Sequence, residues 1–309
     1  MTQSETPTRK PANRIVVWLL AARPESLVVT AGAVLIGTAM AWRDGAFHGW
    51  SALSALFGAV FIQVGTNYWN DYADYRKGAD TAISMTAPRP LVSGQVSPQG
   101  VKRAAYIAFS LAALISIYLV WRGGWPLAVI MVLAIAFGFL YTSGPYPIAY
   151  VGLGEVFVLV CFGPVAVGGT YFVQAQTLHP AVLVSGLAPG LIACGILVVN
   201  NLRDILPDAE AGKRTLAVRF GAKFAKAEYA FCLTGAALIP VALHALQPTL
   251  PALALPLVIL VAVAPGLRII YTGQEGWALN EALGYTARTL LLYSVLFAVI
   301  WNLGRIWNG

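Results

Sequence analysis

Asn200, Asp204 and Asp208 are spaced four residues apart in NNLRDILPDAEAGKRTLAVR, the stretch Asn200–Arg219. A step of four on a helix turns about 400°, so such residues drift only about 40° per step and stay on one face. At 1.5 Å per residue they would line roughly 12 Å of that face. Arg203, Lys213, Arg214 and Arg219 stand close by. A second stretch repeats the pattern. Asn67, Asp71 and Asp74, with Gln63 and Asn70, lie in FIQVGTNYWNDYADYRKGAD and fall on one helical face. Arg76, Lys77 and Arg89 follow them. One such carboxylate pair binds Mg²⁺ weakly, because Mg²⁺ keeps its waters and prefers to share a phosphate oxygen. Two pairs, each holding Mg²⁺, can clamp a diphosphate and neutralise the charge that builds on it as it departs. Basic neighbours complete the shell. The plain reading of one cluster alone is a set of solvated loop charges balancing nearby Lys and Arg. Two clusters of matching pattern argue against it.

No other chemistry competes well. His48, His179 and His244 lie in or beside short connections, without metal-ligand spacing. Cys161, Cys194 and Cys232 each sit inside an apolar run with no CxxC pairing, so neither a disulfide framework nor a zinc site follows. No nucleophile elbow, P-loop, dinucleotide fingerprint or haem motif occurs. Glu155, in YVGLGE, lies just inside an apolar run. Acids inside spans point to function by default, although a carboxylate at a helix start also has a plain structural reading.

The elements that must position these residues are membrane helices. The chain of 309 residues is 58% hydrophobic and 11% charged, with a mean hydropathy of +0.71. A soluble domain carries roughly 25% charge. Composition therefore predicts an all-α polytopic membrane protein. Nine apolar runs approach the length needed to cross a roughly 30 Å hydrocarbon core. They are Leu27–Trp42, Trp50–Tyr68, Ala104–Trp121, Pro126–Tyr141, Val151–Phe172, Ala181–Val199, Tyr229–Leu246, Leu253–Tyr271 and Leu290–Ile306. The first extends back through Ile15–Leu20, with a bend at Arg23-Pro24.

With the N-terminus in the cytoplasm, only Arg43, Arg122 and Arg305 of the 20 Lys and Arg fall outside. This asymmetry supports nine spans with the N-terminus inside and the C-terminus outside. Four spans then separate the two acidic stretches, so both lie at the cytoplasmic face. The expected organisation is a flexible polar tail over 1–13 without a cleavable signal, then a single membrane domain over 14–309. Long cytoplasmic segments at 70–103 and 200–228 cap it. Gly163, Gly168, Gly169, Gly186, Gly190 and Gly195 read as close helix packing. The net charge of +7 belongs to the cytoplasmic loops, and nothing pairs it with a nucleic-acid motif.

These residues resemble a known family. NDYAD at Asn70–Asp74, followed by RPLVSG at Arg89–Gly94, resembles the first aspartate motif of the UbiA-type intramembrane prenyltransferases. NNLRDILPDAEAGKRTLAVRFG at Asn200–Gly221 resembles the second motif of one branch, the 1,4-dihydroxy-2-naphthoate polyprenyltransferases (MenA) of menaquinone synthesis. YVGLGE and Ala22–Pro24 are similar to that branch too. The resemblance runs from Arg14 to the ninth run. It implies nine helices around a central cavity, Mg²⁺, a polyprenyl diphosphate donor and an aromatic acceptor. It implies a first metal site at Asn67, Asp71 and Asp74, and a second at Asn200, Asp204 and Asp208. Lys77, Arg89, Lys213, Arg203 and Arg23 become candidates for diphosphate contact. Tyr141 resembles a tyrosine near the reacting end of the prenyl chain.

There are departures. Many relatives outside this branch carry an Asp where Tyr75 stands, leaving Asp74 or Asp80 as the substitute; Asp74 stays on the helical face. Pro207 is expected to end or kink the helix near Asp208.

The resulting expectation is Mg²⁺-dependent prenylation of 1,4-dihydroxy-2-naphthoate, with loss of CO₂ and diphosphate, to give demethylmenaquinone. It places the enzyme in the prokaryotic cytoplasmic (inner) membrane, with its site facing the cytoplasm and membrane lipid around its helices. Alternatives are the same chemistry on 4-hydroxybenzoate, homogentisate or a chlorin, or a transporter. A transporter would carry its polar groups near mid-membrane at broken helices.

Overall fold

The computed structural model describes residues 14–78, 91, 95–248, 253–273 and 276–303. Every regular element among them is helical. In chain order these are α1 (Arg14–Ala21), α2 (Pro24–Arg43), α3 (Gly49–Lys77), α4 (Pro98–Gly123), α5 (Trp125–Leu140), a short 3₁₀ turn (Ile148–Tyr150), α6 (Gly154–Val160), α7 (Ala166–Ala175), α8 (Pro180–Arg203), α9 (Ile205–Glu210), α10 (Leu216–Leu246), α11 (Leu255–Tyr271) and α12 (Trp277–Trp301). A widened turn at Cys161–Val165 joins α6 to α7.

Local signals set these boundaries. Proline in the first turn, where its missing N–H is not needed, opens α2, α4, α5, α8 and α11. Side chains of His48, Ser97 and Thr215 accept from the free backbone N–H groups of Ser51, Gly100 and Val218 and cap α3, α4 and α10. Gly78, at φ 69°, ends α3.

Seven helices, counting α6 to α7 as one, are long and apolar enough to cross a membrane; α5 and α11, at 16 and 17 residues, are shorter. The chain is an integral membrane protein, with an apolar exterior along helix middles such as Ile117, Val132, Leu238 and Val261. Two of the expected runs start earlier than their hydropathy suggests. α10 begins at Leu216 and breaks at Gly221 (φ 81°), its longer segment carrying Lys223, Lys226 and Glu228, and α12 begins at Trp277 and carries Asn280, Glu281 and Arg288. Helix propensity carries the polar turns where apolar composition alone does not.

α8 is the most buried of the long helices and packs on α10, α12 and the α6–α7 unit, while α3 packs on α4. α8 approaches the α6–α7 unit closely at Gly186, where an added Cβ would stand 2.7 Å from the carbonyl carbon of Gly163. Gly190 is equally tight against Leu159 O at 2.6 Å, whereas Gly195 and Gly169 meet only ordinary neighbours. So the packing expected of all six glycines is strongest at Gly163, Gly186 and Gly190.

Polar contacts sort to the two ends of the helices. At one end Arg43 donates to Trp301 O, and Asp44 receives Tyr171 and His179. The other end holds the C-termini of α3 and α8, the α1–α2 break and α9, and both acidic clusters are there.

Candidate active site

The first cluster grows from α3, which runs unbroken to Lys77 and so keeps Asn67, Asn70, Asp71 and Asp74 on its buried face. It meets the α1–α2 break. Pro24 disfavours helix at Arg23, which takes up φ 52°, a left-handed conformation uncommon outside glycine. The surroundings fix it. Asn67 Nδ2 donates to Ala22 O at 2.7 Å and to Ser26 Oγ at 2.8 Å, and Ser26 Oγ donates to Arg23 O. Gln63 Nε2 donates to Asn67 Oδ1 at 3.0 Å. Arg23 is thereby aimed at Asp71, with Nη2–Oδ1 at 2.5 Å.

The second cluster follows the end of α8. The expected single face for Asn200, Asp204 and Asp208 is corrected here. α8 stops at Arg203, Asp204 leaves the helix at φ −101°, ψ 18°, and Asp208 sits on the separate α9. Pro207 lies in the first turn of α9, where its missing donor does no harm, so the break precedes it. Asp208 still donates its N–H to Asp204 O at 2.8 Å, which keeps the two carboxylates near each other. Arg203 grips Asp204 with a fork, Nε–Oδ1 2.9 Å and Nη2–Oδ2 2.7 Å, and its third nitrogen donates to Asn280 of α12. Among the described residues the Asn200 side chain makes no hydrogen bond.

Lys213 joins the two clusters. Its Nζ lies 3.4 Å from Asp74 Oδ2 and 3.3 Å from Asp208 Oδ1. Tyr150 completes the junction. Its hydroxyl donates to Asp74 Oδ1 at 3.0 Å, and its ring lies under Lys213 and Lys77, 5.2 and 4.3 Å from centroid to Nζ. A backbone bond from Arg214 N to Tyr150 O and a side-chain bond from Arg219 Nη2 to Val151 O, both 2.9 Å, hold the two segments together. Lys77 is turned toward α5, donating to Thr142 O at 2.6 Å, while Thr142 donates to Asn70. Tyr141 stands beside Phe157, which packs on Phe137. Arg89 and Asp80 lie outside the described residues.

Burial pushes the Asp208 carboxyl above 3.8, against the opposing pull of Lys213 and with a further push from Asp204. A divalent cation in the field of Lys213 and Arg23 would reverse this balance, because it favours the ionised form directly.

The donor set suits Mg²⁺. All the candidate ligands offer oxygen, and no group of three or more His, Cys, Asp or Glu that could hold a metal unaided occurs among the described residues. Mg²⁺ characteristically takes one or two carboxylates and completes its shell with water and substrate phosphate. Tyr150, Ser26, Thr142, Asn201 and Asn280 were not singled out by sequence. They are neutral residues whose role depends on which helices meet, and Tyr150 and Asn201 merely adjoin motifs that spacing does reveal.

Residues 30–283 match the UbiA prenyltransferase family. The chain is 36% identical over 304 residues to the 1,4-dihydroxy-2-naphthoate octaprenyltransferase of Escherichia coli (strain K12), covering 94% of this chain and 97% of that one. It shares its fold with a UbiA homolog from Aeropyrum pernix K1, at a TM-score of 0.69 and 16% identity over 92% of this chain and 99% of that one. A UbiA homolog from Archaeoglobus fulgidus bound to GPP and Mg²⁺ matches at a TM-score of 0.64 and 14% identity, over 91% of this chain and 99% of that one. The chain belongs to the UbiA prenyltransferase family.

Proposed function

We propose that the protein transfers a polyprenyl group from polyprenyl diphosphate to 1,4-dihydroxy-2-naphthoate, releasing diphosphate and CO₂, in menaquinone biosynthesis. The observation that carries the proposal is the meeting of two acidic clusters at one end of the helices, bridged by Lys213 within 3.4 Å of each. The likeness to the E. coli relative along nearly the whole chain favours the naphthoate over 4-hydroxybenzoate, homogentisate or a chlorin. Polar groups at helix ends rather than mid-membrane disfavour a transporter.

In this reading Asn67, Asp71 and Asp74 hold one Mg²⁺ and Asn200, Asp204 and Asp208 another. Bound there, the metal supplies neutralising charge for the departing diphosphate. The protein does the rest. Lys213, Arg23, Lys77 and Arg203 turn from their carboxylate and carbonyl partners to the phosphate oxygens, and Arg89 is a further candidate for that contact. Each carboxylate freed of its cation becomes available to metal, so binding of diphosphate and of metal reinforce each other. Tyr141 and the rings beside it flank the allylic carbon. The apolar helices hold the prenyl tail and exclude water that would quench the cation-like carbon. The immediate product is the quinol form, because no oxidant takes part.

The same reading includes nine membrane helices, with α5 and α11 completing the count, the N-terminus inside and the C-terminus outside. Residues 14–309 form one membrane domain after a 1–13 tail, capped by 70–103 and 200–228. The site opens on the cytoplasm of a prokaryote, in its inner membrane. Basic residues at the site end support this orientation.

The test is incubation of purified protein with Mg²⁺, a short allylic diphosphate and each acceptor in turn, followed by product mass. A prenylated naphthoquinol lacking the carboxyl group is expected. A prenylated product from another acceptor alone would contradict the choice of substrate.

A further inference from the structure

Glu155 is buried on the first turn of α6, and the reading above gives it no task. Its Oε1 accepts from Asn201 Nδ2 at 2.7 Å. Among the described residues Oε2 carries no hydrogen bond and no cation pairs with the group. Here it differs from Asp71, Asp74, Asp204 and Asp208, each of which faces Arg23, Lys213 or Arg203. A carboxylate held by a neutral amide keeps its capacity to accept a proton, whereas one gripped by a cation loses much of it.

Its position suits an acceptor. Asn201 lies one helical turn before Asp204 on α8, on the apolar side of the second cluster. The neighbouring Gly154 approaches Tyr141 so closely that a Cβ there would stand 3.3 Å from the Tyr141 hydroxyl. Tyr141, Phe157 and Phe137 follow one another with centroids 6.0 and 5.0 Å apart, a surface on which a flat ring can pack. Tyr141, Cys194 and Glu228 lie within electrostatic reach of Glu155, and Arg23 acts on the same Tyr141 from the first cluster.

We infer that Glu155, positioned by Asn201, takes the hydroxyl proton of the aromatic acceptor during prenyl transfer. The inference rests on the prenyl-transfer reading. The hydroxyl proton passes to Oε2, and the O–H electron pair enters the ring. The carboxylate-bearing ring carbon bonds to the allylic carbon as the allylic C–O bond breaks, its pair leaving with diphosphate. CO₂ then departs, its C–C pair restoring the aromatic ring, and the proton returns from Glu155 to the ring oxygen. Atoms and electrons balance without an oxidant or reductant.

Glu155→Gln keeps the size of the side chain and its bond from Asn201 but removes the base. In the purified protein with Mg²⁺, the expected kcat with naphthoate falls by on the order of 10²-fold, with unchanged affinity for an unreactive prenyl thiodiphosphate. The deficit narrows as pH rises, because the acceptor then ionises without help. An unchanged kcat, or a deficit constant across pH, overturns the inference while wild-type turnover leaves the prenyl-transfer reading standing. No product from the wild type strikes that reading, and the inference with it. If Glu155→Gln lowers the thermal midpoint to the point of unfolding, Asn201→Ala carries the test. Reduced turnover with intact donor affinity supports the positioning role, and equal loss of donor affinity overturns it.

Discussion

Lys213 is the residue on which the site closes, since it alone among the described residues touches a carboxylate of each cluster. Removing it leaves Asp74 and Asp208 close together with a shared negative charge, which costs more than the lost bonds. Lys213→Met is therefore expected to lower the thermal midpoint measured without metal. Mg²⁺ with diphosphate should restore most of the loss, because a ligand that binds only the folded state stabilises it. The same variant should lose on the order of 10²-fold in kcat/KM for the donor, the magnitude typical of one lost charge-stabilising donor.

Asp208 has its own signature. Its carboxyl is raised above 3.8 in the folded protein by burial, so the folded state binds this proton more tightly than the unfolded chain does. Between 3.8 and the raised value, stability from this group rises as pH falls, and it is lost as pH climbs through the folded value. If Asp208 holds a metal as proposed, activity should go the other way, since a protonated Asp208 neither pairs with Lys213 nor binds a cation. Thermal midpoints of wild type and Asp208→Asn across acid pH would separate the two effects. The wild type alone should gain this increment on acidification while its turnover declines.

At the scale of elements, the α3 cluster was legible because one uninterrupted helix keeps a residue spacing intact. The α8–α9 cluster was legible as residue types but not as geometry. Pro207 signalled a break, yet the chain leaves the helix at Asp204, where Arg203 and Asn280 hold the turn. Those partners come from other elements and leave no trace in local spacing. The early starts of α10 and α12 were hidden for a related reason, since their polar turns are helical without being apolar. The glycine seam was legible in kind but not in degree, because six glycines look alike until α6–α7 and α8 are brought together. Gly186→Ala would place a Cβ 2.7 Å from backbone that cannot swing aside. It should destabilise the protein by about 1–3 kcal/mol, read as a lower thermal midpoint in detergent, whereas Gly195→Ala, with its nearest neighbour at 3.5 Å, should leave it nearly unchanged.

For the whole molecule, sequence reasoning reached the all-helical membrane architecture and the convergence of both clusters at one end, through nothing more than counting apolar runs and basic residues. What it could not reach were the neutral braces, Tyr150, Ser26, Thr142 and Asn201, whose importance is created by assembly. The assembled site is self-neutralised, with Arg23, Lys213 and Arg203 standing against the carboxylates that Mg²⁺ would engage. If the two clusters grip one diphosphate as proposed, they must act as a unit, and this is measurable by calorimetric binding of an unreactive prenyl thiodiphosphate with Mg²⁺ to wild type, Asp71→Asn, Asp204→Asn and the double variant. The expected result is that either single change abolishes most of the Mg²⁺-dependent affinity and the double variant loses little more. Independent, additive losses, or affinity that survives both changes, would contradict a shared diphosphate clamp.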